Sequence, residues 1–261
     1  MSTEVVAPHW EGAVAGYWRS AWRIPELYIF QRTRSTNDVI SRAGRAGAGA
    51  GTTAIADHQS EGRGRLGRTW IAPPGSALLL SVLLRPGSGS QQAAAGALPL
   101  RVGMALARAL RVSAGITCML KWPNDVLAGG AKLAGVLCEA SADFVVAGVG
   151  VNVLQQAADF PPQLDPPATS VRLAGGSHGS RARLAGAILD ELRPLFTRPH
   201  TPLGAAELDA FAALDALAGC RITIDGELAG TAAGIDPRGA LLVSGPDGTR
   251  TCHAGTVRRA P

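Results

Sequence analysis

Lysine is almost absent from this chain. Of its 25 basic residues only Lys121 and Lys132 are lysine, and all the rest are arginine. A sequence that takes arginine wherever charge alone suffices keeps lysine where a compact ammonium is needed, so this pair is a candidate for chemistry. Long apolar runs are missing as well. The hydrophobic content of 46% is ample for a core, yet nothing approaches the ~18 consecutive apolar residues of a membrane span. The first twenty residues lack the basic start and apolar centre of a secretory signal. A cytoplasmic protein with no membrane partner is expected. The four cysteines, Cys118, Cys138, Cys220 and Cys252, show no C-x-x-C pair and no nearby histidine pairs, which points to reduced structural thiols and away from zinc. The net charge of +5 admits nucleic acid as a partner, but no recognition helix is evident, so only weak, sequence-indifferent binding is expected. Internal repeats are absent.

Residues 1–24 carry three tryptophans and little regular pattern, as a segment that packs on the main body. "ELYIFQRTRSTND" reads as a short strand and a loop in which Ser35, Thr36 or Asn37 would N-cap a helix from about 38 to 46, closed by the glycines of 47–51. "TTAIADHQ" and "SALLLSVLLRP" read as strands. After a Gly/Ser/Gln spacer, "LPLRVGMALARALRVSAG" has helical periodicity and stops at a glycine. Residues 116–153 read as a meander of strands joined by Gly-rich turns. A Pro-rich loop (160–168) leads to helices over "SRARLAGAILDELRPLF" and "GAAELDAFAALDAL". From Gly219 the texture changes to short strands and turns, which places a domain boundary near residue 217.

The densest feature is "GRGRLGR", residues 62–68, three arginines and three glycines in seven positions. Gly62, Gly64 and Gly67 spell G-x-G-x-x-G, but a dinucleotide fingerprint needs a helix directly after the glycines and an acid about 20 residues on. Pro73, Pro74 and Gly75 forbid that helix, and "RPGSGS" supplies no acid. Neither lysine sits in a P-loop. What remains is a bendable loop whose arginines suit bidentate capture of carboxylate and phosphate, with glycines that let backbone N–H groups approach an anion. Disordered RGG-type segments that bind nucleic acid are usually longer and repeated, whereas this stretch is single and lies between apolar strands.

"KWPNDV" at 121–126, then Lys132 and "LAGVLCE", joined to "STN" at 35–37, Gln59, "GRGRLGR" and "GVGVN" at 148–152, resemble the biotin protein ligases in order and spacing. The resemblance covers residues 35–152, and the tail after Gly219 is more loosely similar to the small SH3-like domain of that family. It implies an α/β (α+β) fold: a mixed β-sheet catalytic domain with packed helices at 1–217, and a C-terminal SH3-like β-barrel at 218–261. It implies two half-reactions. The carboxylate of biotin attacks the α-phosphate of ATP, giving biotinyl-5′-AMP and pyrophosphate with Mg²⁺ assisting. A lysine of a biotin carboxyl carrier domain, from acetyl-CoA, acyl-CoA or pyruvate carboxylase, then takes the biotinyl group. By the same resemblance, Ser35, Thr36, Asn37 and Gln59 would bind biotin, with Gly62, Arg63, Gly64 and Gly135 along its tail and carboxylate. Arg65 and Arg68 would face phosphates. Lys132 would bridge carboxylate and α-phosphate, with Arg65 as its catalytic companion. Lys121, Asn124 and Asp125 would place the nucleotide, Asp125 also holding Mg²⁺, while Asn152 and Trp70 would meet adenine. Simpler roles stand beside these. Residues 35–37 would serve as a helix cap, Trp122 as core, Gly148 and Gly150 as close-packing positions, and His58 as an exposed bystander. The family's repressor members carry an N-terminal winged helix-turn-helix, for which about 30 residues are too few, so a monofunctional ligase is expected. Lipoate-protein ligases share fold and first step, but "KWPND" and the Arg/Gly loop favour biotin. A basic nucleic-acid-binding protein is the alternative of another class.

Overall fold

A computed structural model describes residues 4–86, 96–177, 179–198 and 201–260. The Gly/Ser/Gln spacer expected near 86–95 falls almost wholly outside them. In chain order the first elements are β1 (Val5–Val6), a small hairpin of β2 (His9–Trp10) and β3 (Ala13–Val14), α1 (Ala15–Ala21), β4 (Leu27–Thr33), α2 (Thr36–Arg45) and β5 (Thr53–Gln59). Next come β6 (Ala77–Leu84), α3 (Ala97–Ala114), β7 (Met119–Lys121), β8 (Asp125–Ala128), β9 (Ala131–Ala140) and β10 (Val145–Asn152). The chain continues through α4 (Arg181–Leu192) and α5 (Ala205–Ala212), and ends in β11 (Arg221–Ile224), β12 (Glu227–Ile235), β13 (Leu241–Gly245), β14 (Gly248–Cys252) and β15 (Val257–Arg259).

Eight strands form one sheet in the order β1-β4-β5-β6-β10-β9-β8-β7. Only β4 and β5 run parallel, joined through α2 as a crossover, so the sheet is mixed. The continuous apolar run of β6 is buried at every position, as a central strand with helices on both faces requires. One face packs on α3 and α4 through Leu80, Val82, Ala134, Val136, Val149 and Val151. The opposite face meets α2 through Leu83, Val146, Val39 and Ile40. The last five strands form a separate antiparallel sheet, β14-β13-β12-β11-β15. Trp122, 2% exposed, ties this sheet to the larger one by donating from Nε1 to the Gly239 carbonyl at 2.9 Å.

Three elements differ from expectation. The N-terminal segment is organised: β1 extends the sheet edge, Trp10 and Trp22 are buried, and Trp18 stacks on Trp22 at 5.3 Å. The helix expected over 180–196 stops at Leu192 and continues only as a 3-10 turn, because Pro194 has no N–H for an α-helical bond. The helix expected to run to Leu217 ends at Ala212. Residues 214–216 pair with β7 instead, Leu120 donating to the Leu214 carbonyl and Ala216 to the Leu120 carbonyl. A sheet edge with unpaired backbone groups outcompetes the rest of the expected helix.

Candidate active site

The cleft lies on the α2 face of the sheet, where β9 and β10 carry three glycines. Gly135 on β9 is paired directly with Gly150 on β10, and Leu137 with Gly148. Alternation along each strand puts Gly135, Leu137 and Glu139 on the same face as Gly148 and Gly150. A Cβ at Gly148 would collide with Asn37 Oδ1, and one at Gly150 would fall 2.8 Å from Trp70 Cε2. The glycines are close-packing positions, and what packs into them is site residues. The resulting cleft holds about 320 Å³.

One end of it is polar and uncharged. Ser35 sits at the N-cap of α2, yet its side chain makes no capping hydrogen bond, so capping does not account for it. Thr36 donates twice to Gln59 Oε1, from its backbone N–H at 2.7 Å and its hydroxyl at 2.9 Å. Since both partners are donors, the Gln59 atom between them is the oxygen, and Nε2 is the amide group left to face the cleft. Asn37 is used up locally. Its Nδ2 donates to Glu139 Oε2 at 2.6 Å and to the Leu137 carbonyl at 3.5 Å, and its Oδ1 lies 2.6 Å from the buried Ser81 hydroxyl. Ser81 also reaches Thr36 Oγ1 at 2.7 Å.

The Arg/Gly segment folds as a hairpin over the cleft and not as a strand-to-helix phosphate turn. Gly64 N–H donates to the Arg68 carbonyl and Trp70 N–H to that of Gly62, while Leu66 and Gly67 take left-handed backbone at its tip. A Cβ on Gly62 would strike the Trp70 carbonyl, so the hairpin base needs glycine there. Arg63 forks onto Asp38 at 2.7 and 3.1 Å and reaches Glu139 at 3.1 and 3.3 Å. The Asp38 hydrogen bonds foremost, then those of Glu139, raise its affinity for its proton against burial. Arg68 donates to Thr256, in the connection between β14 and β15, at 2.8 Å. Among the described residues the Arg65 guanidinium has no hydrogen bond or ion pair; burial lowers its pKa, opposed by the nearby Asp125 charge.

Lys132 Nζ lies 2.6 Å from Asp125 Oδ1 and 5.7 Å from the centre of the Trp70 ring. The Asp125 contact is a close ion pair without hydrogen-bond alignment, and that oxygen is buried with no directed donor. Lys121 faces Asp125 across the β7–β8 turn, is half-buried without an ion pair among the described residues, and has its pKa lowered by burial. Asn124 ties the turn to β9 by donating to the Val136 carbonyl at 2.8 Å. Asn152 is also locally satisfied. Its Nδ2 donates to the Thr169 carbonyl at 3.0 Å and its Oδ1 accepts from Gln155 at 2.9 Å.

Every residue expected at the site except Gly62 lines this one cleft. Sequence reading gave no role to Asp38, Ser81 or Glu139, which hold the named residues in place. It also missed Asp165 and Thr256, which line the mouth. Ser81 is hidden inside an apolar strand. Glu139 carries one available signal, being an acid on a strand directly after "LAGVLC". His58 is half-buried and does not line the cleft. All four cysteines are free, and burial pushes the Cys118 and Cys138 thiols up to about 12, far from reactive thiolates.

Residues 29–154 match the Biotin/lipoate A/B protein ligase family and residues 219–258 the Biotin protein ligase C terminal domain. The chain is 37% identical over 248 residues to the biotin--[acetyl-CoA-carboxylase] ligase of Mycobacterium tuberculosis, covering 91% of this chain and 90% of that one. It belongs to the biotin protein ligase family. The Paracoccus denitrificans biotin--[acetyl-CoA-carboxylase] ligase is 35% identical, over 88% of this chain and 98% of its own. The fold is that of the Aquifex aeolicus biotin protein ligase solved with biotin and ATP, at a TM-score of 0.74 and 26% identity, covering 91% of this chain and all of that one. The ligase thus has the mixed sheet and the C-terminal antiparallel sheet of its family.

Proposed function

We propose that this ligase activates biotin with ATP as biotinyl-5′-AMP, releasing pyrophosphate, and transfers the biotinyl group to a lysine of a biotin carboxyl carrier domain. The reading is carried by the two-ended cleft. At one end an amide N–H of Gln59 and the Ser35 hydroxyl offer neutral hydrogen bonds; at the other, Arg65, Lys132 and Lys121 gather positive charge around Asp125. Biotin's ureido group needs polar partners, whereas the dithiolane of lipoate offers nothing to satisfy them.

The cationic end suits the first half-reaction, in which two anions must be brought together. Lys132 has three donors, and its ion pair with Asp125 lacks hydrogen-bond alignment, which leaves the ammonium able to reach a carboxylate and a phosphate oxygen. Arg65, half-buried and in no ion pair among the described residues, is placed to clamp phosphate. Arg68 reaches the same end, while Gly62 and Gly64 shape the hairpin that shields a hydrolysable anhydride from water. Trp70 offers an aromatic wall above the Gly135–Gly150 floor. Asn37 and Asn152 act through the groups they hold, since their amide N–H groups are bonded within the protein, while Asn124 commits one N–H to the Val136 carbonyl. Arg63, engaged by two carboxylates, fastens the hairpin.

Among the described residues no three metal-binding side chains converge. Magnesium needs no such cluster here, because it keeps most of its waters and takes further oxygens from substrate phosphates. The buried Asp125 Oδ1, without a directed donor, fits as its protein ligand; the ion would neutralise phosphate charge. In the second half-reaction an amine of the carrier domain attacks the biotinyl carbonyl and AMP leaves. We place the boundary between the two domains at 217/218, the carriers among acetyl-CoA, acyl-CoA or pyruvate carboxylases, and the enzyme in the cytoplasm. Among the described residues no helix is long and apolar enough to cross a membrane.

Pyrophosphate release from ATP should depend on biotin and not on lipoate, with no acceptor present. Release driven equally by lipoate would overturn the biotin reading. A footprint on DNA surviving at about 150–200 mM salt, where non-specific contacts fade, would overturn the assignment as a ligase without DNA specificity.

A further inference from the structure

Glu139 stands outside the lining of the cleft, yet it touches both of its halves. Its Oε2 accepts from Asn37 Nδ2 at 2.6 Å and from Arg63 at 3.1 Å, and its Oε1 lies 3.3 Å from the same guanidinium. Asn37 belongs to the polar pocket, through Ser81 and Thr36 to Gln59. Arg63 belongs to the hairpin that covers the cationic end. One carboxylate thus joins Asn37 of α2 to the hairpin, whose Arg63 also meets Asp38, whose Arg68 meets Thr256, and whose base is tied down by Glu61 on Arg34 and by Trp70 over the glycine floor.

The arrangement exceeds what charge balance demands. Asp38 alone already meets Arg63 with a forked pair, the strongest geometry available to a guanidinium. Glu139 adds a second carboxylate to the same cation, leaving the trio with one net negative charge. Its placement is set by strand register. Opposite Val146, and two residues beyond Leu137, it faces α2 and not the α3–α4 core. At this point of the sheet floor a long acid reaches Asn37 and the loop together, while Gly148, two residues from Val146 on the neighbouring strand, leaves room for Asn37.

We propose that Glu139 is a positioning residue of the ligation reaction, coupling the order of the biotin pocket to closure of the Arg/Gly hairpin. This rests on the two-ended reading of the cleft. With its carboxylate in place, Asn37 is oriented for the Ser81–Thr36–Gln59 chain and Arg63 is latched; without it both lose a shared anchor. Glu139 itself touches no reacting atom.

Glu139→Gln keeps an acceptor for Asn37 but removes the charge facing Arg63. Biotinyl-5′-AMP should then dissociate about tenfold faster or more, the loss expected for a charge-assisted hydrogen bond. Glu139→Ala leaves Asn37 Nδ2 without its carboxylate and should in addition raise the KM for biotin more than it lowers kcat of pyrophosphate release. In an Arg63→Met background, Glu139→Gln should no longer alter adenylate dissociation. Should either variant fail to fold, Glu139→Asp, which keeps the charge but is one methylene too short to span both partners, is read in the same way. Adenylate dissociation and biotin KM within twofold of wild type in a folded variant would overturn the proposal, as would an undiminished effect of Glu139→Gln in the Arg63→Met background. If the wild-type enzyme itself releases no pyrophosphate with biotin, it is the functional reading that fails, a distinct result.

Discussion

Replacing Lys132 by arginine conserves charge and tests whether the site needs an ammonium. Nζ sits 2.6 Å from Asp125 Oδ1, and the stem passes within 3.4 Å of where a Gly135 Cβ would stand, beneath the Trp70 ring. A guanidinium is longer, planar and wider. In that space it would fork onto Asp125 with two parallel hydrogen bonds, and so turn away from a second anion. An ammonium with three donors on a single atom can serve Asp125 and still reach a carboxylate and a phosphate. Adenylate formation by Lys132→Arg should therefore fall at least about 100-fold, or roughly 2.7 kcal/mol of transition-state stabilisation. The assay is pyrophosphate release with biotin and ATP and no acceptor, which isolates the first half-reaction. The melting temperature should change little, because the side chain is 28% exposed and keeps its ion pair. Activity within a few-fold of wild type would refute both the geometric argument and the inference from lysine scarcity.

Arg65→Gly removes a half-buried guanidinium with no protein counter-charge in direct contact, a clamp worth about 1.5–3 kcal/mol. Adenylate should leak and bystander proteins become biotinylated; a wild-type adenylate dissociation rate would count against the clamp. Gly148→Ala drives a methyl into Asn37 Oδ1 and should raise the KM for biotin at least about tenfold, with overpacking costing about 1–3 kcal/mol in a urea melt; an unchanged KM would show that Asn37 has room to move. Glu207 is held at about 2, against an ordinary 4.5, chiefly by hydrogen bonds from the buried Arg101. Its folded value being depressed, its contribution is full above pH 4.5 and is lost as pH falls through about 2. The gap between wild type and Glu207→Gln, on the order of 2–3 kcal/mol, should be flat above pH 4.5 and shrink below it; a gap that widens in acid would refute the assignment.

Much of this is legible in the sequence. The strands of the main sheet after β1, α3 with its closing Gly115, and the change of texture at Gly219 follow from periodicity and turn residues. Fifteen of the sixteen expected site residues line one cleft, because the motifs that carry chemistry lie at strand ends and turns, where spacing constrains position. What stayed hidden was tertiary. The last turns expected of α5 were given up to pair with β7, and no local propensity announces that exchange. The N-terminal tryptophans gave no periodic signal, because they pack on one another and on Arg181, which Trp10 meets at 5.2 Å.

The supporting residues explain why motif reading stops where it does. Asn37 lies inside a recognisable triplet, but its amide is used within the protein, and its partners are Ser81 in an apolar strand and Glu139 a hundred residues away. A motif marks the positions at which backbone and ligand chemistry constrain residue type locally. A support residue is constrained only through the side chain it holds, so its pattern is dispersed along the chain. The glycines at 135, 148 and 150 stand between these cases. Each is visible as a missing side chain, but the reason for it is an indole or an amide brought from another element. The floor of the cleft is thus recorded in the sequence as places where nothing projects, and its meaning emerges only when Trp70 and Asn37 are seen to fill them.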